Sequence, residues 1–214
     1  MIDGALTDDY GILVNNIYHP FYRACYNDKF KDLRYAVASF KINTFLIVYG
    51  FILENTDFDF RRGDYLNARS MTFKNSRTIF DQANGLYLEN SEFDDSALEI
   101  LRPRPNNNIQ VDRCSFKNWI SSRQSIRFNQ NTFPIYYNTS ITNCDFQNLL
   151  PAIALEGSMS SNSRIYIGNN NFLQKPNSTN NEGQITSRFG GTNKNNIEIY
   201  NNSFRSGDNK GIYF

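Results

Sequence analysis

The chain has 214 residues, with 22 Lys+Arg against 21 Asp+Glu and a formal charge of +1; the length suits one large domain with a real core, and the balance offers no electrostatic footprint for nucleic acid or an anionic membrane. At 40% hydrophobic, 15% aromatic and 20% charged residues, the composition is globular and excludes collagen-like, coiled-coil and disordered chains. Asparagine is the outlier at 31 residues, too many for an ordinary helical or doubly wound domain, so we expect it to have a structural use.

Residues 1–32 do not fit the pattern that organises the rest and read as a cap or irregular lead-in. MIDGALTDDY lacks the basic start and apolar core of a signal peptide. Phe21, Cys25 and Phe30 fall at roughly helical spacing, which predicts a short capping helix, with a non-repeating strand as the alternative. The longest apolar run, Phe45 to Leu53, is far short of the roughly 20 residues that span a membrane. It reads as a pair of buried strands.

Across residues 33–214 one pattern recurs: apolar, any, apolar, any, usually Asn, two more, then Phe. The copies are FILENTDF (51–58), LNARSMTF (66–73), LYLENSEF (86–93), IQVDRCSF (109–116), TSITNCDF (139–146), IYIGNNNF (165–172) and IEIYNNSF (197–204), with LRYAVASF (33–40) as a degenerate forerunner. The closing phenylalanines are separated by 15, 20, 23, 30, 26 and 32 residues. Alternation within each copy marks a strand with one buried face. The Asn marks a turn, because it tolerates left-handed backbone and bonds neighbouring peptide groups. If the copies stack as coils about 4.8 Å apart, Asn55, Asn90, Asn143, Asn169 and Asn201 form an amide ladder.

A second strand follows each Phe, in SALEILR (96–102), QSIRFN (124–129), PAIALEG (151–157), GQITSRF (183–189) and GIYF (211–214). Two or three short strands per unit of about 20 to 30 residues predict an all-β parallel β-helix of about seven coils. The sequence stops at Phe214 inside a coil's strand, with no polar cap. Further coils of a longer chain, or a second copy, are expected to cover that end.

Repeats of the form IxIxNNxF resemble the right-handed parallel β-helices of the pectin-lyase-like superfamily, over residues 51–214. GQITSRFGGTNKNNIEIYNNSF (183–204) is similar to the alginate-lyase and chondroitinase-B branch. The resemblance implies a secreted or cell-surface protein that binds polysaccharide and cleaves it in a lyase-like way, with Arg188 as catalytic arginine. A virion tailspike or a non-catalytic adhesion rod is the alternative. Where that branch carries a lysine base this chain reads Leu155, Glu156, Gly157, so a base is sought among Glu156, Tyr213 and Lys175.

Alternation on the second strand points Glu99, Arg127, Glu156 (or Ala154) and Arg188 (or Thr186) outward as one column. Arg offers paired donors to a sugar carboxylate and Glu accepts from hydroxyls; Arg127 and Arg188 would neutralise a uronate during elimination. A solvated salt-bridge ladder is the other reading. Arg102 and Arg104, in the stiff RPRPNNN connection, are further ligand contacts. Asp94 and Asp95, with Glu99, offer oxygen ligands of the kind calcium takes, or an acid and base for glycoside hydrolysis, or plain turn residues. Trp119, Tyr136 and Tyr137, in the 117–138 insertion, and Tyr213 are candidate aromatic contacts for sugar faces. Cys114 and Cys144 occupy the same place in two successive copies, as core-filling thiols or a disulfide.

Overall fold

The computed structural model describes residues 10–14, 21–39, 44–102, 104, 107–118, 124–135, 137–148, 151–159, 164–174, 184–189, 196–205 and 211–213. Every regular element among them is a strand, and the strands belong in turn to three parallel sheets of nine, eight and eight strands. Sheet A runs from Tyr10–Val14 to Ile212–Tyr213, sheet B from Phe21–Tyr26 to Asn196–Tyr200, and sheet C from Lys29–Lys31 to Ser203–Arg205. Each coil contributes one strand to each sheet. The protein is an all-β parallel solenoid.

Residue chemistry explains the coil. On sheet B, Leu46, Leu66, Leu86 and Ile109 share one inward row and Val48, Ala68, Leu88 and Val111 the next. On sheet C, Leu53, Phe73, Phe93, Phe116, Phe146, Phe172 and Phe204 are in register. From Phe73 onward their rings stack with centroids 4.4–5.0 Å apart.

Between Thr44 and Arg102 each corner turns on a single residue with positive φ, and the B-to-C corners before and after do the same. Asn27, Ser70, Asn90, Arg113, Asn143, Asn169 and Asn201 take the corner from B to C; Asp32, Asn55, Asn75 and Asp95 that from C to A; Arg62, Gln82 and Arg102 that from A to B. Gly50 completes the first set at φ 69°. A side chain there would also collide with Asn27 Oδ1, 2.2 Å from where its Cβ would stand.

At several B-to-C and C-to-A corners the residue after the turn buries its N–H, and the next coil supplies a side-chain acceptor. From C to A, Thr56 N–H donates to Ser76 Oγ (3.2 Å), Ser76 N–H to Ser96 Oγ (3.0 Å) and Ser96 N–H to Asn118 Oδ1 (3.0 Å). From B to C, Met71 N–H donates to Ser91 Oγ, Cys114 N–H to Cys144 Sγ, Cys144 N–H to Asn170 Oδ1 and Asn170 N–H to Asn202 Oδ1. These ladders satisfy buried donors that would otherwise each cost about 1–3 kcal/mol.

Four expectations need correction. The predicted capping helix is strand: Phe21–Tyr26 pairs along its length with Thr44–Tyr49, and Phe30 packs on Phe51 with centroids 5.2 Å apart. Three residues at helical spacing are too few to outweigh a full ladder of backbone bonds. The first true copy is therefore RACYNDKF (23–30), which adds a coil before residue 33, whereas Tyr35–Ser39 is a sheet A strand. FILENTDF is displaced by five residues: the register equivalent of LNARSMTF is LIVYGFIL (46–53), closing on Leu53, and Phe58 belongs to sheet A. The amides do not form one ladder, because Asn55 lies on a different corner and bonds Asp32 and Asn75, while Asn143 bonds Asp112.

Candidate functional site

The expected charged column resolves into two rows. Glu99, Arg127, Ala154, Thr186 and Tyr213 are in register on sheet A, and Leu101, Asn129, Glu156 and Arg188 form the row two residues along. Ala154 and Thr186 are buried. Arg127 crosses between the rows, giving Glu156 Oε2 two bonds from Nε (3.0 Å) and Nη2 (2.9 Å). Glu99 lies 3.8 Å from Arg77 Nη1, and Arg188 is exposed. Arg127 and Glu156 thus satisfy each other.

Arg102 and Arg104 are likewise committed. Arg102 makes a two-pronged bond to Asp81, Nε to Oδ1 at 3.0 Å and Nη2 to Oδ2 at 2.5 Å. Arg104 reaches back two coils to Asp64 Oδ1 (3.1 Å) and the Arg62 carbonyl (2.6 Å), stapling its connection to the solenoid. Asp94 ends a sheet C strand between Lys74 and Lys117, Asp95 is a corner residue with φ 45°, and Glu99 faces out of sheet A. Among the described residues no three His, Cys, Asp or Glu side chains gather closely enough to hold a metal ion. Trp119, Tyr136 and Lys175 lie outside the described residues, as do the side chains of Tyr137 and Tyr213, whose backbones sit on sheets B and A.

Cys114 and Cys144 are buried free thiols, with Cys114 N–H 3.4 Å from Cys144 Sγ. The hydrogen bond with Cys114, reinforced by burial, pushes the Cys144 thiol far above the usual thiol range. It stays protonated and non-nucleophilic.

The surface that sequence reasoning missed is the outer face of sheet B in the N-terminal coils. Tyr26 is 61% exposed, Ile47 and Tyr49 are each 44% exposed and Tyr65 is 37% exposed. Tyr26 and Tyr49 are register partners with ring centroids 6.5 Å apart. Tyr65 lies across its partner Gly85, where a Cβ would stand 2.7 Å from Tyr65 Cδ2. An aromatic side chain laid over a strand glycine covers bare backbone and turns one ring face to solvent.

Charge marks the edge of this face. Arg69 lies over the Tyr87 ring at 4.9 Å, bonds Asn67 Oδ1 and sits 3.4 Å from Glu89. Arg113 also pairs with Glu89. Beyond them the same face carries Asn108 and Asn138, exposed and in register, beside half-exposed Gln110 and Ser140. At the far end Tyr200 lies across Gly168 as Tyr65 lies across Gly85, its Cζ 2.2 Å from where a Cβ would be.

The signal was present in FLIVYGFIL. Leu46, Val48, Phe51 and Leu53 point inward, but the alternate positions Ile47, Tyr49 and Ile52 are also apolar and are exposed. An apolar residue at an outward position departs from the alternation of a half-buried strand.

No family model, curated protein or solved structure matches the chain. Of the resemblance to pectin-lyase-like proteins, the parallel β-solenoid itself stands.

Proposed function

We propose that this protein binds polysaccharide along the outer face of sheet B, as a β-solenoid of the pectin-lyase-like kind acting at or outside the cell surface. The observation that carries the reading is the exposed aromatic face of Tyr26, Tyr49 and Tyr65 with Ile47 among them. Aromatic rings facing water offer large, rigid, amphipathic contact area at low conformational cost. The C–H faces of pyranose rings match such surfaces, while sugar hydroxyls suit the amides of Asn108 and Asn138 farther along. A contiguous exposed apolar patch on an otherwise polar protein marks an interaction site.

The role is binding rather than cleavage. Arg127 and Glu156 are held by each other, so elimination through Arg127 would first have to break that pair. Among Leu155, Glu156 and Gly157 there is no lysine base.

Retention of the purified chain on a panel of immobilised neutral and acidic polysaccharides tests the proposal. One polymer should retain it, and Tyr49→Ala and Tyr65→Ala should each weaken binding about tenfold, on the order of 1.4 kcal/mol, in chains that still unfold cooperatively. Retention by no polymer, or equal retention of the double variant, would leave the solenoid as a rod without this ligand.

A further inference from the structure

The corner from sheet A to sheet B differs in chemistry from the other two. The B-to-C and C-to-A corners are made mainly of Asn, Asp, Ser and Gly, residues suited to left-handed backbone, whereas this one uses Arg62, Gln82 and Arg102 at φ 59°, 51° and 45°. Long side chains gain nothing from such a conformation, which is costly for any residue with a Cβ. The corner geometry alone would be served by Asn or Gly. A strained position held by an unsuited residue points to a role for its side chain.

These residues stack one per coil. Arg62 N–H donates to the Asp81 carbonyl (2.8 Å) and Gln82 N–H to the Leu101 carbonyl (3.0 Å). Arg61 and Asp81, register partners on sheet A, complete the lining of a pocket of about 320 Å³ formed with Arg62, Gln82 and Arg102.

The charges do not cancel. Arg102 is matched by Asp81, and Arg61 by Asp59 Oδ1 at 2.7 Å. The Arg62 guanidinium makes no ion pair or hydrogen bond among the described residues. Arg102 uses two of its five N–H donors on Asp81, and that bond fixes its plane. Burial also drives the Asp59 carboxyl toward its neutral form, against the opposing bond from Arg61. The pocket therefore holds one uncompensated cation beside a second that is already oriented.

We propose that this corner is an oxyanion site, in which a carboxylate, sulfate or phosphate group sits between Arg62 and Arg102 and accepts a further bond from the Gln82 carboxamide. Two guanidiniums two coils apart, roughly 10 Å at about 4.8 Å per coil, leave room for one such group over Gln82. Guanidinium donors suit all three oxyanions through paired N–H bonds. The site stands on the corner geometry and does not depend on the aromatic face.

Isothermal titration of the full chain with sulfate, phosphate, acetate and a uronate monosaccharide, at ionic strength held constant with chloride, tests this. At least one anion should bind saturably, and Arg62→Gln should weaken that binding at least tenfold while leaving the melting temperature unchanged. Gln82 already occupies the equivalent corner at φ 51°, so the variant has a precedent in the same fold. Saturation by the uronate would identify a sugar carboxylate as the group bound; saturation by sulfate or phosphate alone would identify a tetrahedral ester or free anion. No saturable binding by any of the four, or equal binding by Arg62→Gln, would overturn the proposal. Tyr49→Ala and Tyr65→Ala should leave this titration untouched, which separates a failure of the corner site from a failure of the platform.

Discussion

The compact coils between Thr44 and Arg102 and the longer coils after Arg113 solve the same packing problem with different corners. In the compact coils, bonded corner residues recur every 20 positions, as in Thr56, Ser76 and Ser96. In the later coils the corresponding separations are 30, 26 and 32 residues. The compact coils turn on a left-handed residue at all three corners; among the described residues the later coils keep it only from B to C. Yet Phe73–Phe93 and Phe146–Phe172 stack almost alike, at 4.4 and 4.8 Å. Register and core are thus set by stacked side chains, and a corner tolerates added chain as long as the strands on either side keep their partners. The two proposed sites lie in the compact coils; Trp119 and Tyr136 of the 117–138 insertion lie outside the described residues, as does the side chain of Tyr137.

The phenylalanine ladder offers the sharpest way to break this comparison. Phe93→Ala and Phe146→Ala each remove a fully buried ring and should each destabilise by about 3–5 kcal/mol, measured as the shift in chemical denaturation. If the core is continuous, the two losses should agree within about 1 kcal/mol. A Phe146→Ala loss of less than half that of Phe93→Ala would show that the later coils are held more loosely than their stacking suggests.

The corner ladders come next. Ser96→Ala strips the acceptor from Ser76 N–H and should cost about 1–3 kcal/mol, the penalty of one unsatisfied buried donor. Asn170→Ala should cost more, because its carboxamide accepts from Cys144 N–H (2.9 Å) and also donates across coils to the buried Ile141 carbonyl (2.9 Å), whereas the Ser96 hydroxyl donates only to the Asp94 carbonyl of its own corner (2.8 Å). Equal losses in the two denaturation curves would mean that the amide adds nothing to what a hydroxyl does in the compact coils.

This contrast also explains what the sequence made legible. The B-to-C corner and the phenylalanine three residues beyond it persist in nearly every coil, so both the solenoid and the sheet A strands after it could be read from spacing alone. The first copy was misplaced because Asn55 and Asn90 adopt the same left-handed conformation at different corners, and the same local demand selects the same residue. A motif built on one corner cannot tell which corner it has found. Site residues were harder to read. Glu99, Arg127, Glu156 and Arg188 look like one column by alternation, yet which ion pairs form across coils depends on register: Arg127 sits opposite Ala154 and reaches Glu156 diagonally. The aromatic face required knowing that Ile47 and Tyr49 point outward, and an unbroken apolar run hides that choice.

The smallest effect concerns Asp59, whose compact-coil position takes a carboxylate out of solvent. Its side chain is 0% exposed, with Arg61 Nε bonded to Oδ1 and Oδ2 left without a hydrogen bond. Burial raises its pKa above the ordinary carboxylate value, and the opposing bond and charge of Arg61 do not fully cancel that rise. Between the unfolded and folded pKa values the folded state therefore binds more protons, so this group's contribution to stability rises as pH falls through the folded pKa, and its full gain is present below the unfolded value. Asp59→Asn keeps the shape and removes the titration. The stability of the native chain relative to this variant should grow as pH is lowered from neutral toward about 4, the ordinary carboxylate range, in parallel denaturation curves. A difference that shrinks over that range would mean that the Arg61 pair outweighs burial, making Asp59 an ordinary ion-pair carboxylate; the case for a net positive arginine corner would then rest on Arg62 alone.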